Sequence, residues 1–297
     1  MTKNSQAEIW WMAARPRTLG AALAPIWIGT ALAISSGKWD PLSFVAALLG
    51  ALLIQIGTNF ANDYFDFIKG ADTAERIGPT RATQAGLIKP ERMRLAFLLT
   101  FALVGLPGLY LVYRGGWPIL VLGLLSVLSG IFYTGGPFPL GYLGLGDLFV
   151  LLFFGLVATG GTFWVHTHAI TSVVLLAALS PGFLATAILV VNNLRDRKTD
   201  TQAGKKTLAV RWGAGFARAE YLFCMGLGIL MPLGLYLWTP EKHPASLLAC
   251  LSILPAIPAI KAVLSLDADP RLNPILGKTN QVLILHSLLF SLGWIFS

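Results

Sequence analysis

Nine times along the chain, a run of about 20 residues passes almost free of charge, the length at which a helix crosses the hydrocarbon core of a bilayer. The runs cover roughly 17–36, 41–62, 93–112, 117–134, 146–166, 170–192, 217–238, 244–265 and 277–297. In lipid every backbone polar group must be bonded internally, and apolar runs of this length achieve that as helices. The expected fold is an all-α integral membrane protein, nine transmembrane helices in one bundle, with residues 1–297 as a single domain. Composition supports this: 55% of the 297 residues are hydrophobic and 12% charged, about half the charge of an average soluble domain. A soluble chain of this size exposes too much surface to hide so many apolar side chains. Cys224 and Cys250 fall inside the seventh and eighth runs and read as small buried hydrophobes, not a redox pair. The first run follows Trp10, Trp11, Arg15 and Arg17 and is too long for a cleaved signal peptide.

The formal charge of +8 would point to nucleic acid in a soluble protein. Here it reports orientation, and no nucleic-acid partner is expected. Placing the N-terminus and the even-numbered loops on one side collects 18 of the 22 Lys and Arg there; Lys38, Arg114 and Lys242 lie opposite and Lys261 within the eighth run. The positive-inside rule makes the basic side cytoplasmic, and the expected location is the inner membrane. Loops 37–40, 113–116, 167–169 and 239–243 are short, whereas 63–92 and 193–216 are long and polar, the lengths at which loops carry function.

Five of the 14 acidic residues sit in two segments where those long loops leave their spans. The first reads Asn59-Phe60-Ala61-Asn62-Asp63-Tyr64-Phe65-Asp66, followed by Lys69, Gly70 and Asp72. The second reads Asn192-Asn193-Leu194-Arg195-Asp196-Arg197-Lys198-Thr199-Asp200, followed by Gly204-Lys205-Lys206-Thr207. With the helix continued to Asp66, Asn59, Asn62, Asp63 and Asp66 share a face, and Asn192, Asp196 and Asp200 form a second stripe. Both contain Asn-x-x-x-Asp, which reads as a weak internal duplication facing itself across the bundle. Stacked carboxylates repel, and the negative end of a helix dipole adds to the repulsion. A divalent cation relieves it. Carboxylate and amide oxygens with incomplete ligation suit Mg²⁺, here a pair of ions bridging to a diphosphate. Arg81, Arg195, Lys205 and Lys206 stand near enough in sequence to contact the outer phosphate oxygens. Glu8, Glu75 and Glu91 read as solvated acids, and Lys69, Arg197 and Lys198 as orientation charges.

At these residues the chain strongly resembles the intramembrane aromatic prenyltransferases, the superfamily typified by 4-hydroxybenzoate polyprenyltransferase. Further segments are similar to the members that prenylate 1,4-dihydroxy-2-naphthoate: Ala14-Arg15-Pro16-Arg17-Thr18-Leu19, Arg81-Ala82-Thr83-Gln84-Ala85-Gly86-Leu87-Ile88, and Tyr133-Thr134-Gly135-Gly136-Pro137-Phe138-Pro139-Leu140-Gly141-Tyr142 with Gly144-Leu145-Gly146-Asp147. Asp72 is displaced from the compact spacing of the hydroxybenzoate enzymes. The resemblance implies transfer of a polyprenyl group from its diphosphate to the naphthoate ring with loss of CO₂, giving a demethylmenaquinol.

On that basis Asp63, Asp66, Asp72, Asp196 and Asp200 are expected as Mg²⁺ ligands, with Asn59 and Asn192 as neutral donors and Asn62 beside the substrate. Arg81, Lys205 and Lys206 hold the departing diphosphate. An allylic cation must be kept dry and faced by π-clouds, for which Phe60, Tyr64, Tyr133, Phe153, Phe154 and Trp164 are candidates, Tyr133 foremost. Arg15, Arg17 or Arg195 would take the acceptor carboxylate, Arg15 and Arg17 being equally suited to anchoring the chain at the interface with Trp10 and Trp11. Asp147 orients a ring hydroxyl or accepts its proton, or only caps the fifth run. Gly155, Gly160 and Gly161 allow close packing or leave room for the tail. His166, His168 and His286 read as structural. The alternatives are a phytyl donor, 4-hydroxybenzoate as acceptor and, in another class, a cation-coupled transporter. Against transport, the acids lie at span ends, not at the midplane where transporter sites sit. Oligomeric state is not encoded in any of these signals.

Overall fold

The computed structural model describes residues 5–71 and 77–297, so the expected roles of Asp72 and Glu75 fall outside the described residues. The elements are α1 (Gln6–Ala14), α2 (Gly20–Ser35), α3 (Pro41–Ile68), α4 (Pro90–Leu103), α5 (Gly105–Gly115), α6 (Trp117–Phe132), α7 (Gly146–Leu151), α8 (Ala158–Thr167), α9 (Ser172–Gln202), α10 (Leu208–Trp238), α11 (Ile253–Ser265) and α12 (Asn273–Ile295). No strand occurs among the described residues.

Local chemistry sets the ends of these helices. Asp40 caps α3 by accepting from the Ser43 N–H at 2.8 Å, with Pro41 at the first helical position. Thr171 and Thr207 cap α9 and α10 the same way. At the other end of α1, Arg15 turns left-handed (φ 53°) and Pro16 opens a short 3₁₀ turn.

Among the described residues, seven helical segments are long and apolar enough to cross a membrane, or eight if a bent pair counts as one span: Pro41–Ile68, Pro90–Gly115, Gly146–Thr167, Ser172–Gln202, Leu208–Trp238, Pro244–Ser265 and Leu272–Ile295. The first expected span is instead a bent pair, Gln6–Thr18 and Gly20–Ser35, at 51°. The fourth, Trp117–Phe132, has 16 residues, which at 1.5 Å each fall short of a core about 30 Å thick. In α10 the expected start at 217 follows a break at Gly213, whose φ of 83° few other residues adopt.

Between lipid-embedded helices association rests on close van der Waals contact, so small residues mark the seams. A Cβ on Gly155 would lie 2.8 Å from the Ala178 carbonyl, and one on Gly182 2.9 Å from that of Leu151. The segment 152–157, wound as a π-helix, is thereby pressed onto α9. Gly29 brings α2 equally close to Thr159 on α8. His286 on α12 is fully buried, joining Ser180, Ser252 and the Ala249 carbonyl. That network agrees with a structural role. Leu106, Leu109, Leu124, Leu237 and Leu254 point outward, as lipid-facing positions do.

Two ends of the bundle differ in chemistry. One carries Asp40, Tyr110 and His166 joined by hydrogen bonds (Asp40 N–H to His166 Nδ1 at 3.3 Å, Tyr110 hydroxyl to Asp40 at 2.7 Å), with Lys38 donating to the Thr167 carbonyl. The other gathers the C-terminal ends of α3 and α9 with the loops that follow α3, α6 and α9.

Candidate active site

The last three turns of α3 carry four polar side chains buried to better than nine-tenths, Asn59, Asn62, Asp63 and Asp66. The structure puts them to different uses. Asn59 donates to the Ala14 carbonyl (2.9 Å) and the Thr18 hydroxyl (3.2 Å), fixing the turn between α1 and α2. Asn62 accepts from the Thr134 hydroxyl at 2.8 Å. Asp63 accepts from the backbone N–H groups of Ala82 and Thr83, both at 3.0 Å, one on each oxygen. It anchors the turn 81–88. That turn in turn delivers Arg81, whose Nη2 lies 3.3 Å from Asp66 Oδ2.

Asp66 is the meeting point. Its Oδ1 accepts from the Tyr142 hydroxyl at 2.8 Å and lies 3.4 Å from Lys205 Nζ. The same ammonium is 3.7 Å from Asp200 Oδ1, so one cation sits between carboxylates of both Asp-bearing segments. Two ammonium groups lie over the Tyr142 ring, Lys205 at 4.8 Å and Lys69 at 5.0 Å from its centroid. Lys69 donates to the Thr134 and Gly136 carbonyls. Burial, opposed by Asp66 and assisted by neighbouring Lys205, holds the Lys69 ammonium below its ordinary range.

On α9, Arg195 is 1% exposed and grips Asp196 through both carboxylate oxygens, Nε at 2.8 Å and Nη2 at 2.6 Å. It also donates to Asn192 Oδ1 (2.7 Å) and Asn273 Oδ1 (3.0 Å). The loop after α9 and the first turn of α10 are laced to the loop after α6: Lys206 N–H to the Tyr142 carbonyl at 2.8 Å, Arg211 to the Leu143 carbonyl at 3.0 Å.

These groups surround the mouth of a cavity of about 960 Å³. Its polar end is lined by Arg15, Thr18, Gln55, Asn59, Asn62, Asp66, Arg81, Tyr133, Tyr142, Asn192, Asn193, Asp196, Asp200 and Lys205. The remaining walls are mostly apolar and run along α3 and α6 past Ala47, Gly50, Leu120 and Gly123, with Phe153 and Phe154 on one side. Tyr133 packs on glycines: a Cβ at Gly146 would lie 2.7 Å from its hydroxyl. Gly161 lines the cavity, whereas Gly155 serves packing.

Asp63, Arg195, Lys206, Arg17 and Asp147 do not line it. Asp147 is 6% exposed in the first turn of α7, with Oδ1 unpartnered. Phe60 packs edge-on against Trp10, Tyr64 against Phe65 and Phe97, and Trp164 donates to the Gly115 carbonyl. Those three are tied into helix packing. Among the described residues no three His, Cys, Asp or Glu side chains converge as a ready-made metal cage. Sequence reasoning gave Tyr142 no role and took Lys69 for an orientation charge. The signal for Tyr142 was its place in the 133–147 run, and for Lys69 its position three residues beyond Asp66.

The comparisons with known proteins match this architecture. A model of the UbiA prenyltransferase family matches residues 22–274. The 1,4-dihydroxy-2-naphthoate octaprenyltransferase of Haemophilus influenzae is 39% identical, over 98% of this chain and 96% of its own length. Its counterpart in Escherichia coli is 40% identical, over 97% and 96%. Among solved structures, a UbiA homolog from Archaeoglobus fulgidus bound to DMAPP and Mg²⁺ superposes with a TM-score of 0.61 at 15% identity, covering 95% of this chain and 99% of that one. The chain belongs to the UbiA prenyltransferase family.

Proposed function

We propose that the protein transfers a polyprenyl group from its diphosphate to 1,4-dihydroxy-2-naphthoate with loss of CO₂, the step that makes demethylmenaquinol for menaquinone. The observation that carries this reading is the single ammonium of Lys205 held between Asp66 and Asp200 at the mouth of a cavity with apolar walls. Carboxylates paired around a cation at one end, and room for a hydrocarbon at the other, match a prenyl diphosphate. Support for the acceptor comes from the relatives' names together with their near-complete coverage.

Asp66, Asp196 and Asp200 would hold Mg²⁺, directly or through water, and two ions fit their spread across both segments. Such ions keep waters and take substrate phosphates as ligands, so a complete protein cage is not required. When bound, Mg²⁺ supplies positive charge against the departing diphosphate. Arg81 and Lys205 bind the outer phosphate oxygens. Tyr142 aligns Asp66. Asp63 holds the Arg81 turn in place and Arg195 holds Asp196; each acts through its neighbour. The donor C–O bond breaks with its electron pair leaving on diphosphate, and Tyr133 with Phe153 and Phe154 faces the allylic cation in a dry cavity. The ring carbon bearing the carboxylate forms the new C–C bond, and the carboxylate leaves as CO₂, its bonding pair restoring the aromatic ring. Arg15, which lines the cavity with Thr18, Gln55 and Asn59, would take the acceptor carboxylate. The basic end lies on the cytoplasmic side of the inner membrane.

Membranes containing the protein, supplied with dihydroxynaphthoate and radiolabelled polyprenyl diphosphates, test the reading. The expected result is Mg²⁺-dependent prenylation with release of CO₂, abolished by EDTA. Preference for 4-hydroxybenzoate or for phytyl diphosphate would redirect it.

A further inference from the structure

We propose that Asn273, which belongs to neither Asp-bearing segment, is a positioning residue for Asp196 and couples it to the loop after α3. Asn273 is the first residue of α12, after the N-cap Leu272, and its side chain bonds outside that helix. Both ends of its amide go elsewhere. Oδ1 accepts from Arg195 Nη1 at 3.0 Å, and Nδ2 donates to the Ile77 carbonyl at 3.0 Å, 196 residues away in sequence.

The geometry of Arg195 explains the need. Adjacent residues on a helix do not face one another, so a guanidinium that grips the next residue's carboxylate with two bonds must be held there from outside its own turn. Asn192 supplies one hold from the preceding turn. Asn273 supplies the other, from a different helix. Neighbouring contacts stiffen the same flank: Arg197 pairs with Asp267 at 2.6 and 3.0 Å, and the Ala268 N–H donates to the Leu194 carbonyl. These reach α9 without touching Arg195. Asn273 is thus the link between three parts of the site: the loop carrying Ile77 and Arg81, the guanidinium of Arg195, and the carboxylate of Asp196 at the cavity mouth.

The inference rests on the metal–diphosphate reading above, and its test separates the two. The probe is Mn²⁺ in place of Mg²⁺, titrated by electron paramagnetic resonance into the full-length protein in nanodiscs with farnesyl thiodiphosphate present. Partners that orient a metal ligand are worth about 10-fold or more in metal affinity. Asn273→Ala is expected to weaken Mn²⁺ binding about 10-fold, and Asn273→Ser, too short to reach both partners, by nearly as much. In turnover the same variants raise the Mg²⁺ requirement and the donor KM, leaving the acceptor KM unchanged. Mn²⁺ affinity within about twofold of wild type in both variants overturns the inference, including when their thermal midpoints fall, since that pattern is a purely structural role. If Asn273→Ala fails to accumulate, Asn273→Ser decides by the same criterion. Absence of diphosphate-dependent Mn²⁺ binding in the wild-type protein overturns the functional reading itself, and the role of Asn273 with it.

Discussion

The ends of α3 and α9 carry similar letters, Asn-x-x-x-Asp, and use them differently. On α3 the acids organise their own downstream loop: Asp63 is committed to two backbone N–H groups, and that turn brings Arg81 to Asp66. On α9 the acid at the matching place, Asp196, is held by a side chain from its own helix, which is held in turn from α12. Asn59 braces the α1–α2 turn, whereas Asn192 braces an arginine. A repeated carboxylate pattern therefore does not give repeated roles. What the two ends share is Lys205, standing between Asp66 and Asp200.

The largest break in this comparison is expected from Asp66→Asn. Removing a charge at the point where Arg81, Tyr142 and Lys205 converge should lower kcat about 10²–10³-fold while the protein still accumulates in membranes; activity above about a tenth of wild type would contradict its role. Lys205→Ala comes next, with a donor KM raised about 10-fold, in line with a charged hydrogen bond, and an acceptor KM unchanged. Asp63→Asn sharpens the contrast within α3. It leaves one backbone N–H facing an amide donor, a cost of about 1–3 kcal/mol, so limited proteolysis in 77–89 should quicken while the Mg²⁺ requirement of the remaining activity stays put. A shifted Mg²⁺ requirement would instead move Asp63 into the ligand set.

The smallest effect belongs to an acid at the opposite end. Hydrogen bonds from Ser43 and Tyr110 lower the Asp40 carboxyl from 3.8 to about 2. A lowered value means the charged form is favoured on folding, so its stabilisation is complete at neutral pH, persists down to about 4 and disappears as the pH falls toward 2. Asp40→Ala should cost about 1 kcal/mol as a lost cap, seen as a lower thermal midpoint at pH 7, a gap that closes near pH 2, with prenyl transfer unchanged at pH 7.

Much of this was legible from sequence because the bilayer imposes a length. All nine apolar runs became helical, and Asn59 through Asp66 do continue α3 beyond its expected end at 62. Apolarity alone did not reveal that the helix in the run 117–134, Trp117–Phe132, is shorter than the other spans. At the site, helical spacing placed Asp66, Asp196 and Asp200 on the cavity, but spacing carries no information about which acceptor a backbone N–H will find, so the bonds from Ala82 and Thr83 to Asp63 were not foreseen. For Arg195 charge and position were visible in the sequence, and its partners Asn192, Asp196 and Asn273 were not. Asn273 was invisible altogether: a polar residue at the start of a helix has an ordinary explanation in capping, and only the fold brings it to Ile77 and Arg195.

Calorimetric titration of Mg²⁺ into nanodisc-embedded Asp66→Asn and Asp63→Asn, each saturated with the same unreactive prenyl thiodiphosphate, examines the division of labour most directly. Asp63→Asn should bind Mg²⁺ within about threefold of wild type and Asp66→Asn should lose at least about 10-fold. Equal losses in both, or the reverse order, would mean that the carboxylate bound to the Ala82 and Thr83 amides is itself the metal ligand.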